Sequence, residues 1–236
     1  DETAYIINNC RAQLFIASAS LADIAAEAAA QAPALEHCFI VGGERAGFVD
    51  WHSTLAEQPS DAIADESLGV PMLYSSGTTG KPKGVFRAPE NIDLDAPHPL
   101  KLAGAYYGFN TDTIYLSPAP LYHAAPLHYN TLNLIQGGTS VIMERFDPEQ
   151  ALALIERYRA THSQWVPVMF IRMLKLPEEV RSKYDVSSMQ RAIHAAAPCP
   201  IDIKRQMIDW WGPVICEYYS SSEGVGFTLI DSEDWL

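Results

Sequence analysis

Residues 74–85 read YSSGTTGKPKGV, and the apolar pair just before them, Met72 and Leu73, belongs to a predicted strand spanning Met72 to Ser75. Hydroxyl side chains at Ser75, Ser76, Thr78 and Thr79 alternate with Gly77, Gly80 and Gly84, whose missing Cβ atoms free the backbone. Such a segment offers N–H and O–H donors to polyphosphate oxygens. Lys83 adds a cation that can follow charge developing on departing phosphate oxygens, with Lys81 less directly placed. Composition alone reads a short Gly-rich run as a surface loop; the hydroxyls and cation behind a strand favour a phosphate cradle instead. A Walker A loop needs four residues between its first glycine and a Gly-Lys-Ser/Thr ending, which this segment lacks, so a P-loop nucleotidase is a poor rival.

Outward from the cradle, short β-branched or aromatic runs alternate with helical patterns. Candidate strands are Gln13–Ala17, Cys38–Val41, Thr113–Leu116, Ser140–Met143, Gln164–Val166, Ala192–His194 and Val214–Tyr218. The alternation implies an α/β fold with parallel-rich sheets flanked by helices. One helix begins at Asp147, an N-cap followed by Pro148 and Gln150, with a predicted apolar stripe of Ala151, Leu154, Ile155 and Tyr158. Another, alanine-rich, spans Ser20 to Gln31 and is closed by Pro33. Proline, acid and amide residues mark surface connections at 58–66 and 88–99.

The 236 residues are 48% hydrophobic and 19% charged, an ordinary globular composition. A formal charge of −13 excludes a broad electropositive face for nucleic acid, while leaving room for a local anion cradle. Cys10, Cys38, Cys199 and Cys216 show no metal or redox spacing and read as reduced thiols. No run approaches the roughly 18 apolar residues of a membrane span, and a soluble cytoplasmic protein is the expectation.

Three further segments follow in order. Residues 118–123 read PAPLYH, 194–200 read HAAAPCP, and 219–223 read YSSSE. Taken singly, His123 is a structural histidine, Tyr219 a core aromatic and Glu223 a surface acid. Together with YSSGTTGKPKG they resemble the signatures of the adenylate-forming, AMP-binding superfamily, which holds acyl-CoA synthetases, luciferases and peptide-synthetase adenylation domains. Within it the chain is most similar to acyl-CoA synthetases and fatty-acid-CoA ligases.

The resemblance implies the acyl-CoA synthetase/luciferase-like fold, with residues 1–236 a fragment of its large N-terminal AMP-binding domain and the C-terminal lysine-bearing domain absent. It implies activation of a carboxylic acid, a fatty acid first, with ATP, Mg²⁺ and coenzyme A, and an impaired isolated fragment. Ser75, Ser76, Gly77, Thr78, Thr79, Gly80 and Lys83 would hold the phosphates. Ala195, Ala196, Ala197 and Pro198 would cover the adenine, Tyr219 would stack on it, and Ser222 would touch the α-phosphate. Glu223 would hold the metal, and His123 would line the carboxylate pocket; Lys83, His123 and Glu223 are the catalytic candidates. Ala195 stands where the family commonly has glycine, Ser220 replaces a glycine, and Ser222 replaces threonine while keeping the hydroxyl.

For the acid pocket the candidates are His123, Gly137, Gly138, Trp165, Val166 and Met169, small or apolar, with no aspartate to meet an amino group. An aryl-acid-CoA ligase, with Trp165 or Tyr219 stacking on a ring, is the alternative within the class. A non-catalytic nucleotide-binding module is the alternative outside it. Oligomeric state stays open.

Overall fold

The computed structural model describes residues 2–64, 66, 69–75, 80–86, 88, 104–222 and 226–236. The chain divides into two units, 1–95 and 96–236, and the division falls within the proline- and acid-rich stretch 88–99.

In the first unit three parallel strands, β1 (Leu14–Ser18), β2 (His37–Val41) and β3 (Val49–Asp50), pair in that order. Helices α1 (Glu2–Asn9) and α2 (Ala22–Ala29) bury Ala4, Ile7, Ala28 and Ala32 in a small core with Phe15 and Leu35. The predicted Ser20–Gln31 helix is shorter because its first turn, Ala19–Leu21, is a 3₁₀ turn. Ser18 is extended there and makes no side-chain cap bond; its hydroxyl pairs with that of Ser20. Asp50 does cap the helix that follows it, α3 (Trp51–Ala56), accepting from the Ser53 N–H at 2.7 Å. Two short strands, β4 (Leu73–Ser75) and β5 (Lys83–Val85), form an antiparallel ribbon.

The second unit is built on six strands: β6 (Ile114–Ser117), β7 (Thr139–Ile142), β8 (His162–Trp165), β9 (Arg191–His194), β10 (Ile215–Ser220) and β11 (Phe227–Ile230). Their order is β11-β10-β9-β8-β6-β7, all parallel except the antiparallel β10–β11 pair. Because β7 and β8 flank β6 on opposite sides, the chain reverses its direction of travel across the sheet there. Open α/β sheets bind ligands at such a reversal, outside the carboxyl ends of the strands.

Side chains alternate between two buried faces, as a parallel sheet covered on both sides requires. On one face Leu116, Trp165, Ala192 and Ile215 pack under helices α5 (Pro148–Tyr158), α6 (Pro167–Leu174) and α8 (Ile201–Trp211). On the other, Tyr115, Ile193 and Cys216 pack under α4 (Ala124–Ile135) with Tyr107, Phe109, Tyr129 and Leu132. Short helices α7 (Glu178–Arg181) and α9 (Ser232–Trp235) complete the unit.

The Asp147 cap is present, accepting from the Gln150 N–H at 2.9 Å, and Arg159 closes α5 in the left-handed conformation. Its buried stripe differs from expectation: Leu152 is fully buried beside Ala151 and Ile155, whereas Tyr158 is 40% exposed and carries the Arg157 guanidinium over its ring. Contact with α6 as well as the sheet turns the buried arc toward Leu152. Three strands escaped the sequence pattern. β3 has two residues, β5 lies inside the Gly-Pro-Lys run, and β11 sits beyond the YSSSE segment.

Trp165 is 0% exposed, edge-on to Trp211 with ring centres 5.6 Å apart, and its indole N–H donates to Ser163 Oγ. It and Met169, 7% exposed, belong to the core beneath α5, α6 and α8, which corrects their placement as pocket lining. Trp165→Ala is expected to lower the unfolding free energy by about 3 to 5 kcal/mol in urea titrations. A loss under about 1 kcal/mol would contradict the core assignment.

Candidate functional site

The described flanks of the predicted phosphate cradle belong to the β4–β5 ribbon. Ser75 pairs with Lys83 and Tyr74 with Gly84, which holds the two flanks side by side. Ser76, Gly77, Thr78 and Thr79 lie outside the described residues. Gly80 has φ +89°, a left-handed value natural to glycine. Gly84 answers a steric need instead: a Cβ there would run into the Met72 side chain and come within 3.1 Å of the Tyr74 ring. The ribbon is tied down by Tyr74, whose hydroxyl donates to Asn9 Oδ1 at 2.6 Å, and by Tyr5, whose hydroxyl donates to the Pro82 carbonyl at 3.1 Å. Lys81 lies 5.5 Å from the centre of the Tyr5 ring. Lys83 is exposed and has no ion-pair partner among the described residues.

In the second unit, most of the other predicted residues fall at one end of the six-stranded sheet. The chain leaves β6 at Ser117 and runs through 118–122 to His123, the N-cap of α4, whose ring lies 4.4 Å from that of Tyr122. It leaves β8 at Trp165, and Val166 is the N-cap of α6 with Pro167 at the first helical position. From β9 it passes directly into Ala195–Pro198, and β10 carries Tyr219, 80% exposed, as its penultimate residue, ending at Ser220 two positions before Ser222. Glu223 lies outside the described residues. Thus His123, Val166, Ala195, Ala196, Ala197, Pro198, Tyr219 and Ser222 share the carboxyl end, because parallel strands all finish at the same edge.

One residue of 195–198, Ala196, takes a left-handed φ of +74°; an L-residue there costs roughly 1 to 2 kcal/mol, held by its surroundings. Gly137 and Gly138 lie at the opposite, amino end of β7, which corrects their assignment to the acid pocket. They close α4, with the Gly137 N–H donating to the Leu134 carbonyl at 3.0 Å and the Gly138 N–H to that of Asn133 at 2.9 Å. A Cβ at Gly138 would collide with Asn133 and with the Thr113 carbonyl at 2.8 Å.

Behind the 195–198 segment sits a charged cluster that motif reading missed. Lys204 of α8 is 0% exposed; its Nζ donates to Glu217 Oε2 at 2.7 Å and lies 4.7 Å from the centre of the Trp235 ring. His194, also 0% exposed, has Nε2 3.8 Å from the same carboxylate oxygen, too far for a hydrogen bond. Burial drives the His194 pKa from 6.5 down to about 4, with Glu217 opposing and Lys204 assisting, so the ring is neutral at neutral pH. The half-buried Cys199 thiol is pushed up to about 11, chiefly by burial and then by Glu217, and is no nucleophile. The ion pair fastens β10 two residues before Tyr219 to the helix that follows the 195–200 segment. A signal was available in sequence: Lys204, Met207, Ile208 and Trp211 form one i, i+3, i+4, i+7 stripe, and a lysine in an apolar stripe needs a buried partner.

A protein-family model described as "AMP-binding enzyme" matches residues 1–236. The medium/long-chain-fatty-acid–CoA ligase of Mycobacterium tuberculosis is 28% identical over 191 residues, 80% of this chain and 31% of that protein. The 4-coumarate-CoA ligase of Narcissus pseudonarcissus is 30% identical over 154 residues, 64% of this chain and 27% of that protein. Among solved structures, the amide bond synthetase of Marinactinospora thermotolerans superposes with a TM-score of 0.79 at 24% identity, covering 99% of this chain and 45% of that one. The chain therefore spans under a third of the length of these curated relatives. Among the described residues no helix is long and apolar enough to cross a membrane.

The buried imidazole yields a pH dependence with a defined sign. With a folded pKa near 4 and an unfolded value of 6.5, the folded state binds fewer protons in between, so the contribution is whole above pH 6.5 and lost as pH falls toward 4. Urea unfolding should show stability falling across that window, and His194→Gln should flatten the slope, leaving the part due to His162, whose pKa is also lowered by burial. Equal slopes in both proteins would contradict the assignment.

Proposed function

The chain belongs to the AMP-binding enzyme family, and from that premise we propose that it serves the ATP-dependent conversion of a carboxylic acid to an acyl-adenylate and then to an acyl-CoA thioester. The 236 residues are assigned to the N-terminal AMP-binding domain of a longer enzyme, since its relatives extend well beyond the matched region. The observation that supports this reading most is the gathering of His123, Ala195–Pro198, Tyr219 and Ser222 at the carboxyl end of one parallel sheet, the end at which α/β sheets bind ligands.

In the first step a carboxylate oxygen attacks the α-phosphorus, a P–O bond forms, and pyrophosphate leaves with the electron pair of the bond that breaks. The protein's part is positioning and charge stabilisation. Backbone and hydroxyl donors of 75–80 and the exposed Lys83 ammonium meet the departing phosphates. Tyr219 offers an exposed ring face to adenine, Ala195–Pro198 a close backbone, and Ser222 a hydroxyl to the α-phosphate. Glu223 would hold Mg²⁺, a hard cation suited to a carboxylate oxygen, and the ion would supply neutralisation of phosphate charge. In the second step the sulfur of CoA attacks the carbonyl carbon, the C–O bond to phosphate breaks, and AMP departs.

His123 and Val166 remain as the candidates flanking the acid. Val166 suits an aliphatic chain, in keeping with a fatty acid. A specific feature favours an aryl acid as the second reading: the core beneath α4 is aromatic, with Tyr107, Phe109, Tyr115 and Tyr129 buried together and Tyr218 packed against them. The third reading, nucleotide binding without chemistry, would give ATP affinity and no turnover.

ATP–pyrophosphate exchange by the full-length protein, with a panel of fatty, aryl and amino acids, tests the proposal. Exchange with fatty or aryl acids is expected; silence across the panel with MgATP binding intact would refute it. Lys83→Ala and Glu223→Ala should each slow exchange by roughly 100-fold while changing the acid's KM by less than about threefold, because both act on phosphate charge. An unchanged rate would remove that residue from the site.

A further inference from the structure

At the carboxyl end of the sheet, beneath α4, two buried amide side chains have oxygens without a partner. Asn130 is 5% exposed; its Nδ2 donates to Ser117 Oγ at 2.7 Å and to the Pro126 carbonyl at 2.8 Å, and its Oδ1 accepts nothing from the described residues. Gln164 is 1% exposed; its Nε2 donates to the Trp165 carbonyl at 2.8 Å, and its Oε1 is likewise unpaired among the described residues. In each amide a backbone carbonyl demands the NH₂ group, which fixes the other end as oxygen.

The strand register brings the two amides to one layer. Tyr115 pairs with His162 and Leu116 with Ser163, so Ser117 stands level with Gln164 on the neighbouring strand. Tyr115 and His162 both face α4, since both rings meet Phe109 and Tyr115 also meets Tyr129. A period of two then turns Ser117 and Gln164 to the same side, and the Ser117 hydroxyl places Asn130 over it. The layer below is aromatic, and α4 starts directly after His123. A buried acceptor without a donor is costly, and natural proteins keep one where a ligand completes it.

Building on the acid-activation reading, we propose that Asn130 Oδ1 and Gln164 Oε1 recognise a hydrogen-bond donor on the acyl portion of the acid, so that the substrate is a hydroxyl- or amino-substituted acid rather than a plain one. A donor-bearing acid satisfies both oxygens, whereas its unsubstituted analogue leaves them unpaired, and discrimination of this kind is far steeper than that for a missing methylene.

The test is ATP–pyrophosphate exchange by the full-length protein with matched acids: hydroxyphenylpropanoate against phenylpropanoate, aminophenylpropanoate against the same parent, and hydroxyoctanoate against octanoate. In at least one pair kcat/KM should favour the donor-bearing acid by about tenfold or more, with the aryl and alkyl arms identifying the body that carries the donor. Asn130→Leu and Gln164→Met should bring that ratio to within about threefold of one. Gln164→Met should also unfold at an equal or higher urea concentration in the absence of acid, since it removes an unpaired acceptor. Ratios near one for the unaltered protein in every pair, with strong exchange, would overturn the proposal and leave acid activation standing. A Gln164→Met protein that loses stability and keeps the ratio would make Gln164 structural and overturn it too. No exchange with any acid would bring down both readings.

Discussion

Parallel pairing of β6, β8, β9 and β10 is the constraint from which the rest of the second unit follows. A parallel ladder cannot be closed by tight hairpins; each strand must be followed by a crossover that returns the chain to the starting edge. Every strand therefore delivers its last residues to the same rim, and the crossovers cover both faces. Ser117, Trp165, His194 and Ser220 are the last residues of their strands, and the motif residues come immediately or a few positions after them. Convergence of segments more than a hundred residues apart is thus a consequence of topology, and the chemistry needs only the right side chains in the loops.

The two faces do different work. Trp165, Phe170, Met173, Met207 and Trp211 fill one with apolar volume and set its rigidity. Within that packing the Lys204–Glu217 pair takes the Lys204 ammonium inside, and Trp235 covers it. Such a pair contributes little net stability against an apolar replacement, but breaking one partner is severe, which makes it a geometric fastener for β10 and α8. The other face, under α4, is aromatic and carries the Asn130 and Gln164 amides, whose oxygens have no partner among the described residues. Incomplete satisfaction is a defect in a core and a resource in a binding site.

Much of this was legible in residues alone. The strand starting near Met72, the capped helix after Asp147 and the parallel alternation follow from period, caps and glycine positions, and the motif segments fall at or just beyond the carboxyl ends of β6, β9 and β10. What the sequence could not supply was facing. Trp165 and Gln164 are adjacent, yet one enters the apolar core and the other lies beneath α4, a difference set by register with β6 and β9. Gly137 and Gly138 looked like small residues making room for a ligand; they make room for the Thr113 carbonyl and Asn133 at the far end of the sheet. Ala196 takes a backbone conformation normally reserved for glycine, which no propensity would suggest for alanine.

Atom tracing tests the central claim most directly. The full-length protein would be given ATP, CoA and an acid whose carboxylate carries oxygen-18, and the products weighed by mass spectrometry. Attack of the carboxylate on the α-phosphorus followed by thiolysis of the mixed anhydride predicts AMP carrying one labelled oxygen and unlabelled pyrophosphate. Formation of ADP with label in orthophosphate, or thioester accompanied by unlabelled AMP, would contradict an acyl-adenylate route.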